Sequence, residues 1–344
     1  MSSRRLRTAL RTALLAAGAV LCAASAAMAD PSARDDVAAA AAAADRFLRT
    51  LDPAQARAAV LPPDSPLIVN WSNLPAGMAG FERNGVRIGD LQDAQRAALH
   101  DFLTTALSRA GAALVYGVIA AEAVLADASR ASRLGWHPDN YWLAFFGEPS
   151  AAGDWSWQFG GHHLAINVAV TGGVMSMSPS FIGIEPAAFV LDGSEMAPLR
   201  GHAAGGVALL GALPGEQRDA ATVSGRPRDL YAGAGRDGVI PPVEGSPVAG
   251  WPAERQRQLL DLIGLWVSVM PPAAAERRMA EIEAELPEVR FAWNGRTDGS
   301  GSIYYRIQGP TLLIEFSTRG SLGAAGGHYH SIYRNLSNEY GRRQ

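Results

Sequence analysis

The sequence predicts an α+β domain with a mainly antiparallel sheet, built from residues 141–180 and 290–334 and packed with helices from the N-terminal and middle segments. Three observations predict it. Helix-period and strand-like stretches come in blocks, helices then strands then helices then strands, rather than in strict β–α alternation. The strand-like stretches are joined by tight turns such as Thr171-Gly172-Gly173 and Gly309-Pro310, which suit antiparallel hairpins. Finally, strand candidates occur in both halves of the chain, so a single sheet has to be assembled from both.

Residues 30–45, alanine-rich with spaced charges, read as a helical lead-in. Pro53, Pro62, Pro63 and Pro66 exclude a long helix after it, and Leu67-Ile-Val-Asn-Trp71 reads as a short strand. Asp90 is the expected N-cap of a helix whose apolar residues Leu91, Ala94, Ala98, Leu99, Phe102 and Leu103 recur at helical spacing. Gly111 separates it from a second helix over 112–132. Strands are then expected at Tyr141–Phe146, Trp155–Phe159, Leu164–Val170 and Val174–Ser178. Residues 196–223 return to helix, and 224–252, rich in Gly and Pro, read as one long loop of the kind that often covers a site. Helices over 253–269 and 273–286 precede strands at 291–293, 302–308, 311–316 and 329–334.

The first residues are expected to be removed. Arg4, Arg5, Arg7 and Arg11 precede and enter an apolar run, and Ala27-Met28-Ala29 places small residues before a cut at Asp30. Residues 1–29 therefore read as a signal peptide, with 30–344 as a single domain carrying the 224–252 loop, and the protein as exported, periplasmic or secreted. The apolar run is mostly alanine, too weak for stable membrane insertion once the signal is cleaved. The whole chain has a formal charge of −3, and loss of those four arginines makes it more acidic. Such a chain is a poor partner for nucleic acid.

Cys22, the one cysteine, leaves with the signal, and every residue counted as Lys+Arg is arginine. The mature chain thus has no disulfide, thiol nucleophile, thiolate metal ligand, Schiff-base lysine or phosphate-loop lysine. No Gly-x-Ser-x-Gly and no zinc-protease helix motif occurs.

Of seven histidines, four fall in two clusters, His162-His163 and His328-Tyr-His330. On a strand, His328 and His330 share a face, whereas His162 and His163 do so only across a local irregularity. With Glu315, these histidines are the candidate ligands of a divalent transition metal such as zinc, copper or iron. Histidines that only hydrogen-bond within a core are the plain alternative. Arg306 and Arg334 are candidate catalytic residues that clamp a substrate carboxylate or phosphate, or else ion-pair with Glu315 or Glu339. His100 and His202 read as surface or capping residues, and Trp136, Trp142, Trp155 and Trp157 as core, with stacking on a sugar or peptide as the alternative.

Four separated segments carry a likeness to a known family: Trp155–Asn167, Ser178–Gly183, Tyr304–Phe316 and His328–Arg334 followed by Asn338-Glu-Tyr-Gly341. In this order they resemble the family of domain of unknown function 3500, over roughly residues 40–341. The resemblance implies that His162, His163, Glu315, His328, His330 and Arg334 occupy the family's motif positions. It has a carboxylate at Glu339, where the family often has aspartate, and it implies no reaction. The expectation is an exported metal-dependent hydrolase or oxidoreductase acting on a small-molecule or peptide ligand, with a non-enzymatic binding protein as the alternative.

Overall fold

In the computed structural model, residues 31–343 are described apart from 79, 129–130, 226, 228 and 321–325; the predicted signal peptide lies outside the described residues. Pro31–Gln344 form one compact unit.

The chain runs α1 (Pro31–Leu48), α2 (Pro53–Ala59), β1 (Val60–Leu61), β2 (Val86–Arg87), α3 (Asp93–Ala106), α4 (Arg109–Ala126) and α5 (Ala131–Leu134). The central strands follow as β3 (Tyr141–Phe146), β4 (Trp155–Gly161), β5 (Leu164–Thr171) and β6 (Val174–Ile184), then a small hairpin of β7 (Phe189–Leu191) and β8 (Ser194–Met196). The second half holds α6 (Arg200–Ala212), α7 (Gly215–Ala221), β9 (Ser246–Pro247), α8 (Ala253–Val267), α9 (Pro272–Glu285), β10 (Arg290–Gly295), β11 (Ile303–Gln308), β12 (Leu312–Arg319) and β13 (His328–Asn335). A terminal pair, β14 (Asn338–Glu339) and β15 (Arg342–Arg343), ends the described chain.

Eleven of the described strands form one sheet in the order β1-β3-β4-β5-β6-β13-β12-β11-β10-β9, with β2 beside β3. Only β1–β3 is parallel; the other pairs are antiparallel, as the α+β reading expects. The β6–β13 pair, Tyr329 opposite Ile184 through Tyr333 opposite Ser180, joins the two halves. Gly172 and Gly173 both have positive φ, which the two-residue turn from Thr171 to Val174 demands.

Several boundaries differ from the sequence reading. Leu67–Trp71 is not a strand: Pro66–Val69 form a 3-10 turn opened by Ser65, whose hydroxyl accepts from the Leu67 N–H. Asp90 ends a short 3-10 turn, and α3 starts three residues later, where the Gln95 side chain accepts from the Gln92 N–H at 2.9 Å. The buried, extended Leu91 separates the two. The second helix is capped by Ser108, whose hydroxyl accepts from the Gly111 N–H, and it stops at Ala126. Within 224–252 the chain forms β9 and a 3-10 turn over Val248–Gly250. His202 is no surface residue: it is buried in α6, edge-on to Trp266 with ring centroids 4.5 Å apart.

The two faces of the sheet are buried differently. One face, with Tyr141, Phe159, Ile166, Phe316 and Tyr333, packs into the large apolar core shared with the helices. The other is covered mainly by loops over a smaller apolar cluster that includes Ile68, Trp71, Phe146, Phe181, Ile332 and Tyr340. Side chains alternate along strands, so His328, His330, Ile332 and Arg334 all point to the loop face, as do their registered partners Ser317 and Glu315 on β12. Several buried polar groups on this face bond to one another. Gln158 donates to Asn167 Oδ1 at 2.7 Å and to the Ile68 carbonyl at 3.1 Å, and Asn167 donates to the Pro179 carbonyl at 2.8 Å.

Candidate metal centre

The site begins at the β4–β5 turn. Gly161 pairs with Leu164, leaving His162 and His163 as the two turn residues. His163 has φ 61°, a conformation that turns usually give to glycine and that costs an L-residue about 1 kcal/mol. The turn brings both rings to the same side, stacked with centroids 3.7 Å apart. This is the irregularity that the strand periodicity left open.

From there His163 reaches across β6 to β13. Its Nε2 lies 2.9 Å from His328 Nε2, which lies 3.0 Å from His330 Nε2. Gly183 on β6, opposite His330, makes room: a Cβ there would lie 3.0 Å from His330 Cδ2 and 3.1 Å from His163 Cδ2. Two imidazoles bound to one tetrahedral ion at 2.0–2.1 Å hold their nitrogens about 3.3 Å apart, so a shared ion requires these separations to widen by about 0.3–0.4 Å.

The outer nitrogens are held by acceptors. His330 Nδ1 donates to Asp229 Oδ1 at 2.9 Å, and His328 Nδ1 faces the Gly320 carbonyl at 3.3 Å and Glu185 Oε2 at 3.5 Å. An imidazole with its Nδ1 proton so engaged turns a bare Nε2 lone pair inward, the arrangement that orients metal-binding histidines. Burial, reinforced by the neighbouring rings of His162, His330 and His328, pushes the His163 pKa well below its ordinary value. Burial and then His330 lower His328 to about 4, against Glu185 and the Gly320 carbonyl. Burial opposes ionisation of Asp229, but the bond and charge of His330, the Leu230 N–H and Arg319 together hold its carboxyl below the usual range. Burial thus favours the neutral, metal-binding form of His163 and His328, and the Asp229 carboxylate anchors His330 beside them.

Ligand atoms of His163, His328 and His330 all lie within 4.8 Å of one another, as do those of Glu122, His162 and His163. These are the groups among the described residues that could hold a metal ion. His162 therefore stands beside the trio, its Nδ1 donating to Glu122 Oε2 at 2.8 Å.

Glu315 stands elsewhere. It is registered with Ile332 rather than with either histidine of β13, and its carboxylate accepts from the Tyr231 and Ala232 N–H groups, each at 2.8 Å, and from the Tyr304 hydroxyl at 2.6 Å. Burial raises its pKa, opposed by those three donors. Arg306 and Arg334 are also turned to the loop. The fully buried Arg306 donates to the Pro242 carbonyl at 2.6 Å and to Glu244 at 3.1 Å. Arg334 donates to the Ala232 carbonyl at 2.9 Å, Asp237 at 2.9 Å and Glu339 at 2.6 Å. Of the two readings for these arginines, the ion pair describes Arg334–Glu339, and both side chains fasten the 229–244 stretch onto the sheet.

Sequence reasoning missed Asp229, Glu122, Glu185, Arg319 and Gly183. Glu122 carried a signal, as the only acidic residue in the mostly apolar α4, on the face of Val115, Val118 and Leu125. Gly183 stood inside a quoted motif, but only the fold shows which rings it admits. A groove of about 710 Å³ runs to His328 between α6 and the ends of β11–β13. Small residues such as Ala203, Ala204 and Gly327 line it, with Arg200 and Arg319 as its cations. Arg319 is registered directly opposite His328.

Residues 33–342 match the family described as "Protein of unknown function (DUF3500)". The chain belongs to this family. In this DUF3500 member, the segments quoted for the likeness supply the turn histidines, the β6 glycine, the β11–β12 hairpin and the β13 histidines. No curated protein and no solved structure matches the chain.

Proposed function

We propose that the protein is an exported metalloenzyme, a hydrolase or an oxidoreductase, with His163, His328 and His330 as ligands of a zinc, copper or iron ion. The observation that carries this reading is the meeting of three Nε2 atoms at 2.9 and 3.0 Å, two of them on rings whose Nδ1 faces a carboxylate. With their Nδ1 atoms facing acceptors, His328 and His330 can turn Nε2 lone pairs toward His163 and share a cation with it. A three-imidazole site leaves coordination positions open, and the ion, when bound, polarises a carbonyl or activates water or dioxygen. Asp229 fixes the tautomer and angle of His330. The groove at His328 gives a small molecule or peptide a path to the open position, with Arg319 placed to hold an anionic group. Export rests on the basic, apolar and Ala27-Met28-Ala29 segments at the N-terminus.

A second reading, a periplasmic or secreted binding protein without catalysis, is favoured by the burial of the three histidines, which are 2%, 5% and 7% exposed. The untagged mature chain, analysed by elemental mass spectrometry beside a His328→Ala, His330→Ala variant, tests the metal. Near-stoichiometric metal that the variant loses supports the reading. A folded protein that takes up neither zinc, copper, iron nor nickel sinks it. N-terminal sequencing of the exported form should begin at Asp30.

A further inference from the structure

Behind the three-histidine centre lies a buried carboxylate with half of its bonding capacity unused. Glu122 is 2% exposed in an apolar helix, where an ion is costly unless it is paired. Its Oε2 accepts from His162 Nδ1, but Oε1, sealed from solvent, takes no hydrogen bond among the described residues. Arg83 is close enough to feel the Glu122 charge, yet its guanidinium donates to the Ser72 and Leu74 carbonyls at 3.3 and 2.5 Å and lies over Trp142. The carboxylate faces His162 and His163, the two rings stacked by a turn that holds His163 at a φ costly for any side chain.

We propose that Glu122, His162 and His163 hold a second divalent transition-metal ion, making a two-metal centre joined through the His163 ring. The proposal rests on the three-histidine reading: the first ion takes His163 Nε2, which leaves Nδ1 for the second. An ion held tetrahedrally at 2.0–2.1 Å from nitrogen and 2.0–2.2 Å from a carboxylate oxygen sets the two atoms about 3.3 Å apart. The 2.8 Å contact between His162 and Glu122 therefore opens by about half an ångström to admit it. Charge balances as well. The His162 proton moves from Nδ1 to Nε2, the His163 ring releases its remaining proton to solvent, and the resulting imidazolate and the Glu122 carboxylate together offset the second dication. Nitrogen and carboxylate donors of this kind suit copper, zinc and iron.

Copper tests this directly. The metal-free mature chain is loaded with excess Cu(II), desalted, and examined for metal content and electron paramagnetic resonance. Two ions per chain are expected, with a spin signal far below two per chain because an imidazolate bridge couples the pair. Glu122→Gln should retain one ion with a full, uncoupled signal, and His162→Asn should do the same should Glu122→Gln not fold. One ion in the wild type overturns the second site and leaves the first standing. Two ions retained in both variants also overturn it, by placing the second ion elsewhere. No ion at all overturns the three-histidine reading and this proposal with it.

Discussion

Gly183→Ala perturbs the centre without touching its chemistry. A Cβ at this position would lie 2.8 Å from the Tyr329 carbonyl oxygen, 3.0 Å from His330 Cδ2 and 3.1 Å from His163 Cδ2. Against the roughly 3.5 Å of a relaxed carbon contact, these are shortfalls of about 0.4–0.7 Å. The carbonyl belongs to the β6–β13 ladder and yields little, so the two rings have to move. Cδ2 is bonded to Nε2, and a ring pushed by several tenths of an ångström leaves the tolerance of about 0.2 Å for a good metal site. Overpacking of this kind costs about 1–3 kcal/mol of stability. Zinc affinity should fall by about tenfold or more, equivalent to at least 1.4 kcal/mol. Urea unfolding of the metal-free protein measures the first quantity, and competition with a chelator measures the second. Gly172→Ala is the control: its added Cβ meets nothing within 4 Å, so only its φ of +60° penalises the change. It should lose about 1 kcal/mol with zinc affinity unchanged. A Gly183→Ala protein that loses stability yet binds zinc within twofold of the wild type would refute the convergence of the rings at β6.

Three further outcomes follow from the same geometry. Asp229→Ala removes the acceptor of His330 Nδ1 and should weaken metal binding about 10–100-fold with little change in global stability, read by the same competition assay. Arg334→Met strands the buried Glu339 and the Ala232 carbonyl; it should cost about 3–5 kcal/mol in urea unfolding. His202, held at about 4 by burial against the Leu265 backbone carbonyl, is neutral in the fold while the unfolded chain protonates near 6.5. Its contribution is fully present above pH 6.5 and declines as pH falls toward 4, a loss of about 3 kcal/mol. His202→Phe should flatten that part of the stability profile, measured by unfolding between pH 4 and 7.

The sheet was legible in the sequence because strands such as Tyr141–Phe146 and Ile303–Gln308 are rich in aromatic and β-branched residues, and Thr171-Gly-Gly and Gly309-Pro310 mark hairpin turns. Leu67–Val69 misled for a local reason: Pro66 and the Ser65 hydroxyl favour a tight turn over extension. The histidine clusters were also legible, but not how they meet. Whether His162 and His163 diverge or stack depends on the turn at His163, a backbone state that composition does not encode. Glu315 looked like a ligand because it ends a hairpin strand and offers a carboxylate. Its register, opposite Ile332, and the Tyr231 and Ala232 amides decide otherwise. Asp229 was invisible because about a hundred residues and a loop of no period separate it from His330.

X-ray absorption at the zinc edge of the zinc-loaded mature protein tests the central claim most directly. Three imidazole nitrogens at about 2.0–2.1 Å, dropping by one in His330→Ala, are the expected first shell for the ion held by His163, His328 and His330. A shell made only of oxygen, or one that His330→Ala leaves unchanged, would contradict the account.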